Sequence, residues 1–223
     1  MISKKSFSKI VDLTLALSPK IRMFPTYPPF TVLSWTKRET YGFESETIFM
    51  STHTGTHIDV PSHFHAGGRR LHEFDVSEFF ADALVLDFRH KKPKTHITAE
   101  DIRSSFPKAG RGSRTPEMVI LRTGWDKNVN APNYYKESIG LSKDGAQFLV
   151  KKSLKIVGID GPNIDHPEGL DYPAHNTLLS SGVCVVENIQ NLNKVGTERF
   201  MFVGLPLRIV DASGSPIRAV AIV

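Results

Sequence analysis

The sequence has a single cysteine, Cys184, among its 223 residues, so no intrachain disulfide can form. This lack of paired cysteines excludes a disulfide-stabilised scaffold and is compatible with a reducing compartment. No apolar run approaches the roughly 20 residues that span a bilayer, and no long apolar stretch follows the lysines near the N-terminus. These absences predict a cytoplasmic protein with no membrane partner.

The sequence also lacks a long run of charge of one sign. Its formal net charge is +5, but its basic residues fall in short groups. These groups are Lys4-Lys5, Arg69-Arg70, Lys91-Lys92 with Lys94, and Lys151-Lys152. A small excess spread this thinly is typical of a solvated surface and argues against nucleic-acid binding. A small anionic substrate fits the charge slightly better.

Low-complexity tracts, repeats and linkers are missing as well. Apolar residues make up 40% of the chain and charged residues 23%, as in ordinary globular proteins. A chain of this length can bury about 70% of its unfolded surface in one core. We therefore expect one domain over residues 1–223.

Short segments rich in β-branched and aromatic residues predict a strand-rich fold. The predicted strands are residues 11–17, 31–35, 47–51, 83–88, 118–122, 156–159, 183–187 and 202–205. The strand at 183–187 makes Cys184 a small core residue rather than a catalytic thiol. Helices are predicted after the caps Thr98 and Ser142, the second reaching residue 152. This mixed order favours an α/β or α+β domain over a doubly wound sheet.

The most informative segment is residues 53–65, which holds four of the nine histidines. A helix would turn Asp59 away from His53 and His57, and Gly55 and Pro61 oppose a helix. A straight strand, at roughly 3.3 Å per residue, would leave His53 too far along for one ion to reach all three residues. A bend at Gly55 would bring two imidazoles and a carboxylate together.

Such a group predicts a Zn²⁺-type site on His53, His57 and Asp59, with an open position for water. An ion there would lower the pKa of its water towards about 7 and polarise a substrate carbonyl. His63 lies past Pro61, where it could enter the same pocket as a general acid or base. Individually, each histidine could instead be a structural hydrogen-bonding residue. His65, His72, His90 and His96 are predicted to be surface or supporting residues.

A second, weaker cluster contains Asp160, Asp165, His166, His175 and Glu187. Glu187 closes an apolar strand, where a carboxylate is costly to bury unless it is paired or coordinated. Spacing alone leaves metal coordination and a salt bridge to a basic residue equally open for Glu187.

The segment His53-Thr54-Gly55-Thr56-His57-Ile58-Asp59, with Pro61, His63 and Phe64, resembles the His-x-Gly-Thr-His-x-Asp-x-Pro-x-His-Phe signature of the cyclase-like metal hydrolases. That family includes bacterial kynurenine formamidases and isatin hydrolases. The resemblance runs over nearly the whole chain, through Asp12-Leu13-Thr14, 121–125, 158–160, His175 and Glu187-Asn188.

The resemblance implies a swivelling β/β/α domain assembled as a homodimer or homotetramer. It also implies that His53, His57 and Asp59 bind one metal, and that Asp59 bridges to a second metal held by His175 and Glu187. His63 would be the proton donor and acceptor. Zinc or manganese, two ions per chain, is the expected cofactor, although His and carboxylate ligands also suit iron and cobalt.

The early loop departs from the kynurenine formamidases, which resemble one another in having a tryptophan followed by Pro-Gly-Asp. Here the loop reads Met23-Phe24-Pro25-Thr26-Tyr27-Pro28, so an aromatic formamide substrate is not assured. Phe24 and Tyr27 could line a pocket for a planar or apolar group, or seal a subunit contact.

The sequence therefore predicts a metal-dependent hydrolase that cleaves a C–N bond in a small amide, formamide or cyclic amide. A lactonase or esterase with the same site is the nearest alternative. A metal-dependent protein that binds a small carboxylate without turnover and a structural subunit with a vestigial site are the others.

Overall fold

The computed structural model describes residues 9–107 and 114–223, so the predicted basic pair Lys4-Lys5 lies outside the described chain. The strands are β1 (Ile10–Asp12), β2 (Thr31–Thr36), β3 (Ser45–Phe49), β4 (His57–Asp59), β5 (Phe80–Asp87), β6 (His96–Ile97), β7 (Met118–Arg122), β8 (Gly140–Leu141), β9 (Ile156–Ile159), β10 (Cys184–Glu187), β11 (Arg199–Pro206) and β12 (Gly214–Ile222). The helices are α1 (Arg38–Tyr41), α2 (Ala99–Ser105), α3 (Lys143–Val150) and α4 (Pro173–Ser180).

The main sheet closes on itself. Its strand order is β1-β12-β11-β5-β7-β9-β10-β4, and β4 also pairs with β12. Strands β5, β7, β9 and β10 pair with one another in parallel. The pairs that involve β4, β11 or β12 are antiparallel. The mixed, strand-rich α/β class predicted from the sequence is confirmed, with β4 as the strand that completes the ring.

Two apolar clusters cover the two faces of this sheet. Along β7, Met118 and Ile120 belong to one cluster, while Val119 and Leu121 belong to the other, as the two-residue period of a strand requires. The second cluster also contains Ile102, Leu149 and Leu178 of α2, α3 and α4. The parallel strands are therefore buried on both faces, which explains why they read as unbroken apolar runs.

Both predicted helix starts are confirmed by their caps. The Thr98 hydroxyl accepts a hydrogen bond from the Asp101 amide, and the Ser142 hydroxyl accepts one from the Gly145 amide. Each hydroxyl satisfies an amide that has no partner within its helix. The second helix ends at Val150, two residues before the predicted end.

The predicted strand at 11–17 is shorter in the structure and ends at Asp12. The Leu13 amide still donates to the Ala219 carbonyl of β12. Beyond it, the Leu15 amide donates to the Thr56 hydroxyl instead of to a strand. Alternating hydrophobicity persists past this point because Leu13 is still buried in the core.

Cys184 is buried in β10 as predicted, and burial raises the pKa of its thiol to about 12. A thiol that stays protonated is a poor nucleophile, which agrees with a packing role. Within the described ranges, the helices are all too short for a membrane crossing.

Candidate metal centre

Strand β4 carries two of the predicted ligands on one face. His57 and Asp59 are two residues apart, so both point to the same side, while Ile58 points into the core. The antiparallel partner β10 places Glu187 directly opposite His57, on that same face. The register of one strand pair therefore groups an imidazole with two carboxylates.

His53 reaches the group through the expected bend at Gly55, whose φ is +65°. This left-handed conformation is easy for glycine and strained for other residues. A Cβ on Gly55 would also lie 2.4 Å from Leu17 Cδ2. A Cβ on Gly214 would lie 2.6 Å from His53 Cε1. The missing side chain at Gly214 therefore makes room for the His53 imidazole.

His175 comes from the first turn of α4. Tyr172, the residue before this helix, has φ 44° and makes no capping hydrogen bond with its side chain. Asp165 takes over that role from a distant loop, because its carboxylate accepts from the amides of Ala174 and His175. Another hydrogen bond, 2.6 Å long, joins Asp165 to Nδ1 of the His175 ring.

The five predicted ligand residues form two buried groups that could each hold a metal ion: His53, His57 and Asp59, and Asp59, His175 and Glu187. Asp59 Oδ1 faces the first group, 3.4 Å from His57 Nε2, and Oδ2 faces the second, 3.3 Å from His175 Nε2. His175 Nε2 is also 3.3 Å from Glu187 Oε1. Two ligands at about 2.1 Å from a tetrahedral ion would lie about 3.4 Å apart. The three spacings quoted match this value, whereas His53 Nδ1 lies 2.5 Å from Asp59 Oδ1, at hydrogen-bonding distance.

Hydrogen bonds fix which nitrogen each imidazole presents. Nδ1 of His57 donates to the Gly55 carbonyl, so Nε2 faces the carboxylates. Asp165 accepts from His175 Nδ1 in the same way. His53 presents the opposite nitrogen: its Nδ1 faces Asp59, and its Nε2 is 3.0 Å from the Ser213 hydroxyl. Outer hydrogen bonds of this kind orient metal-binding histidines in proteins.

The electrostatics of the site favour added positive charge. Burial disfavours the imidazolium, yet the nearby Asp59 and Glu187 carboxylates raise the pKa of His57 to about 9. Burial likewise opposes protonation of His175, but Asp165, Asp59 and Glu187 hold its pKa well above the usual range. The clustered carboxylates are therefore stabilised by a nearby positive charge. A divalent metal ion would provide that charge while the imidazoles stay neutral.

His63 lies beside this group without joining either set of ligands. Its ring stacks on that of His53 with centroids 3.9 Å apart, and it meets the rings of Phe64 and His175 edge-on. Burial, reinforced by the neighbouring imidazoles, lowers the pKa of His63 to about 4. Its ring is therefore neutral at pH 7 and can accept a proton. His65, His72, His90 and His96 lie outside both groups.

A cavity of about 170 Å³ opens onto the two groups. Phe24 and Tyr27 line it, together with Thr26, Phe64, Tyr135, Pro162, Asn163, Tyr172, His63 and the five candidate ligands. None of these lining residues, within the described part of the chain, is a lysine or an arginine. The net positive charge is thus not concentrated here, and the lining gives no support to an anionic substrate.

Sequence reasoning did not assign roles to Asp165, Tyr135, Tyr172 and Ser213. Asp165 is 1% exposed, and a nearly fully buried carboxylate needs strong partners. Its place in a cluster with His175 was the available signal. Tyr135 and Tyr172 carried no comparable signal, because a tyrosine in a loop is equally compatible with an exposed or a pocket position.

We expect Asp165→Asn to lower metal affinity by roughly 10- to 100-fold, as removal of an outer hydrogen bond to a metal-binding histidine does. The amide has one acceptor oxygen in place of two, and Asp165 accepts from three N–H groups. Competition with a metal-binding dye measures the affinity. Asp171→Asn, in an exposed acid of the same loop, is the matched control and should leave it unchanged. Equal affinities in both variants would contradict the prediction.

Comparison with known proteins shows the family to which the chain belongs. Residues 11–166 match the family described as "Putative cyclase". A kynurenine formamidase of Bacillus cereus is 31% identical over 214 residues, covering 96% of this chain and 97% of that protein. Isatin hydrolase A from Labrenzia aggregata, bound to benzyl benzoate, superposes with a TM-score of 0.86 at 25% identity, covering 96% of this chain and 93% of that one. A structure described as a potential metal-dependent hydrolase with cyclase activity superposes with a TM-score of 0.78 at 26% identity, covering 96% of this chain and 97% of that one.

Proposed function

Because the chain belongs to the Cyclase family of metal-dependent hydrolases, we propose that it cleaves the C–N bond of a small amide, formamide or cyclic amide. The observation that carries this proposal is the pair of His and carboxylate groups that share Asp59 at the cavity. His63 lines the same cavity but is not among the candidate ligands of either group. Amide-hydrolysing relatives and a site suited to a divalent metal support the same chemistry.

We propose His53, His57 and Asp59 as the ligands of one ion, and Asp59, His175 and Glu187 as the ligands of a second. Zinc or manganese suits these nitrogen and oxygen donors. When bound, such an ion lowers the pKa of a water molecule and polarises the substrate carbonyl. The two carboxylate oxygens of Asp59 support the bridging role, because Oδ1 lies near His57 of the first group and Oδ2 near His175 of the second.

His63 is the residue we propose for proton transfer. Its neutral ring accepts the proton that the attacking water loses, although the lowered pKa makes it a weaker base than an ordinary imidazole. The resulting imidazolium is a stronger acid than an ordinary one, so it readily returns the proton to the leaving nitrogen. The stacked ring of His53 and the edge of Phe64 hold His63 in place.

The cavity favours a neutral, flat substrate of small size. Its volume of about 170 Å³ is close to that of a cavity of about 150 Å³ that accommodates benzene. Three aromatic rings lie near one another in the cavity wall: the centroid of the Phe24 ring is 5.6 Å from that of Tyr27 and 5.7 Å from that of Tyr135. Burial, with the nearby carboxylates, raises the pKa of Tyr27 to about 12, so its hydroxyl remains a hydrogen-bond donor. We propose Phe24 and Tyr27 as substrate-binding residues.

The same proposal describes one domain over residues 1–223 that works in the cytoplasm as a homodimer or homotetramer, with no nucleic-acid partner. The expected partner of the site is the small-molecule substrate alone.

Turnover of matched substrates tests the function. Protein stripped with a chelator and reloaded with Zn²⁺ or Mn²⁺ is assayed on an aryl formamide and a benzo-fused cyclic amide, beside the corresponding ester and lactone. Amide cleavage that disappears with the metal and returns on reloading supports the proposal. Cleavage of the ester and lactone alone would make the protein a lactonase or esterase. Metal uptake without any turnover would favour the binding protein.

A further inference from the structure

Asn163 lines the cavity beside the second group of candidate ligands. It lies in the loop between β9 and α4, and Pro162 and Glu187 line the cavity with it. The residue after it contacts that group directly, because the Ile164 amide donates to Glu187 Oε1 at 2.7 Å. The Asn163 side chain therefore starts within one residue of a contact to a candidate ligand.

One hydrogen bond fixes the orientation of the Asn163 carboxamide. The Asp165 amide donates to Asn163 Oδ1 at 2.6 Å, which is the contact of an Asx turn. A backbone N–H can only donate, so the atom that it meets is the oxygen of the carboxamide. Nδ2 is the other end of this flat group, and it has no acceptor among residues 9–107 and 114–223. Its N–H groups are therefore the end of the side chain that remains for a molecule in the cavity.

The loop that carries this side chain is held in place by its backbone. The ring of Pro162 fixes the backbone dihedral φ of the preceding residue. The Gly161 carbonyl accepts from the Asn188 amide at 2.8 Å, at the end of β10. The Ile164 carbonyl accepts from the Leu141 amide of β8 at 2.7 Å. A donor on such a loop needs little reorganisation when charge develops beside it, which is the condition for effective electrostatic catalysis.

Amide hydrolysis places negative charge in this cavity. As the water oxygen bonds to the carbonyl carbon, the C=O electron pair moves onto the carbonyl oxygen and a water proton passes to His63. The pair then re-forms the C=O bond, the C–N bond breaks with its electrons on nitrogen, and that nitrogen takes the proton from His63. Asp59 and Glu187 line the cavity in which this oxyanion forms, and their carboxylates repel it. A fixed neutral donor stabilises the oxyanion at such a site.

The tyrosines of the cavity are less suited to this role. The Tyr135 hydroxyl already donates to the Arg22 carbonyl at 3.3 Å. Tyr27 stacks on His53 with ring centroids 5.9 Å apart, so it lies at the first group. A phenol O–H also turns about its C–O bond, whereas the direction of the Asn163 N–H groups is set by the hydrogen bond to Oδ1.

We propose that Asn163 is a catalytic residue whose Nδ2 donates a hydrogen bond to the substrate carbonyl oxygen and stabilises the negative charge that this oxygen gains. The inference rests on the proposed hydrolase function and adds an oxyanion donor to the same site. The side chain then has two separable tasks. Oδ1 supports the backbone at Asp165, and Nδ2 contacts the substrate.

The variants Asn163→Ser and Asn163→Asp separate these tasks, because each keeps an oxygen that can accept from the Asp165 amide and lacks the N–H donor. Both should keep the metal content and the Tm of the wild type. Loss of one oxyanion donor costs about 10²- to 10³-fold in kcat, and KM should change little because the bond strengthens in the transition state. Asn193→Ser, at an exposed asparagine, is the matched control and should keep the wild-type kcat. An Asn163→Ser protein with the wild-type kcat would overturn the catalytic role and leave only the turn.

Binding of phenylboronic acid gives a second readout, which does not require turnover. Its boron takes up hydroxide to form a tetrahedral anion that resembles the oxyanion intermediate. Since a hydrogen bond to a charged group is stronger than a neutral one, Asn163→Ser should bind it roughly 10- to 100-fold more weakly than the wild type. Calorimetry on the two proteins, loaded with the same metal, measures this ratio. Equal affinities would overturn the role of Asn163, whereas a wild type that binds the boronate more tightly but cleaves no amide would overturn the proposed function alone.

Discussion

Asp59→Ala should weaken metal binding in both groups and lower turnover on the order of 10³-fold or more. Asp59 is the one residue shared by the two groups, and it is 1% exposed at their centre. A metal ion contributes several kcal/mol of transition-state stabilisation, and each 1.36 kcal/mol corresponds to a factor of ten in rate. Elemental analysis of protein purified without chelator gives the metal content, and a turnover assay gives the rate.

Glu187→Ala is the informative comparison, because Glu187 belongs to the second group alone. We expect about two ions per chain in the wild type, weakened binding of both in Asp59→Ala, and loss of one in Glu187→Ala. Equal metal content in all three proteins would refute the bridging role of Asp59. A wild type that takes up neither Zn²⁺ nor Mn²⁺ would refute the hydrolase proposal itself.

His63→Ala should keep the metal and lose turnover by roughly 10²- to 10⁴-fold, the usual contribution of a positioned acid or base. The side chain is absent from both groups of ligand atoms, so its removal leaves every candidate ligand in place. Metal content and turnover are measured on the same preparation, since the ring of His63 packs against that of His53.

His65→Ala is the matched control for this variant. His65 lies two residues further along the chain and is exposed, so its removal should change neither quantity. A His63→Ala protein with normal metal content and full turnover would remove His63 from the mechanism. A loss of metal would instead show that His63 supports the ligands.

The first group of ligands could be predicted from the sequence because its geometry is local. His53, His57 and Asp59 lie within seven residues, and Gly55 and Pro61 restrict the backbone between them to a bend followed by a short strand. Few conformations satisfy these restrictions and also bring the three side chains together.

The second group could not be derived from spacing. Glu187 meets His57 only through the pairing of β10 with β4, and pairing across 130 residues leaves no periodic signal in the sequence. The resemblance to a known family proposed His175 and Glu187, and the residues alone did not distinguish coordination from a salt bridge. Asp165 was placed in the right cluster, but its capping of α4 depends on a loop whose path the sequence does not reveal.

Strand β12 and helix α4 were missed for local reasons. Gly214 and Pro216 resemble loop residues, although Pro216 lies within β12 opposite His57. Helix α4 has no side-chain cap on the residue that precedes it, because its cap comes from Asp165. In both places a partner distant in sequence determines the structure, and a window of neighbouring residues contains no trace of that partner.

The position of β4 between β10 and β12 places all five candidate ligands ahead of the strand that closes the ring around them. All five candidate ligands have been synthesised once Glu187 is added, but β12 begins 27 residues later, at Gly214. Until β12 arrives, β4 lacks one of its two neighbours, and Gly214 is not yet packed beside His53. The strand that closes the ring thus also completes the surroundings of candidate ligands that all precede it in the chain.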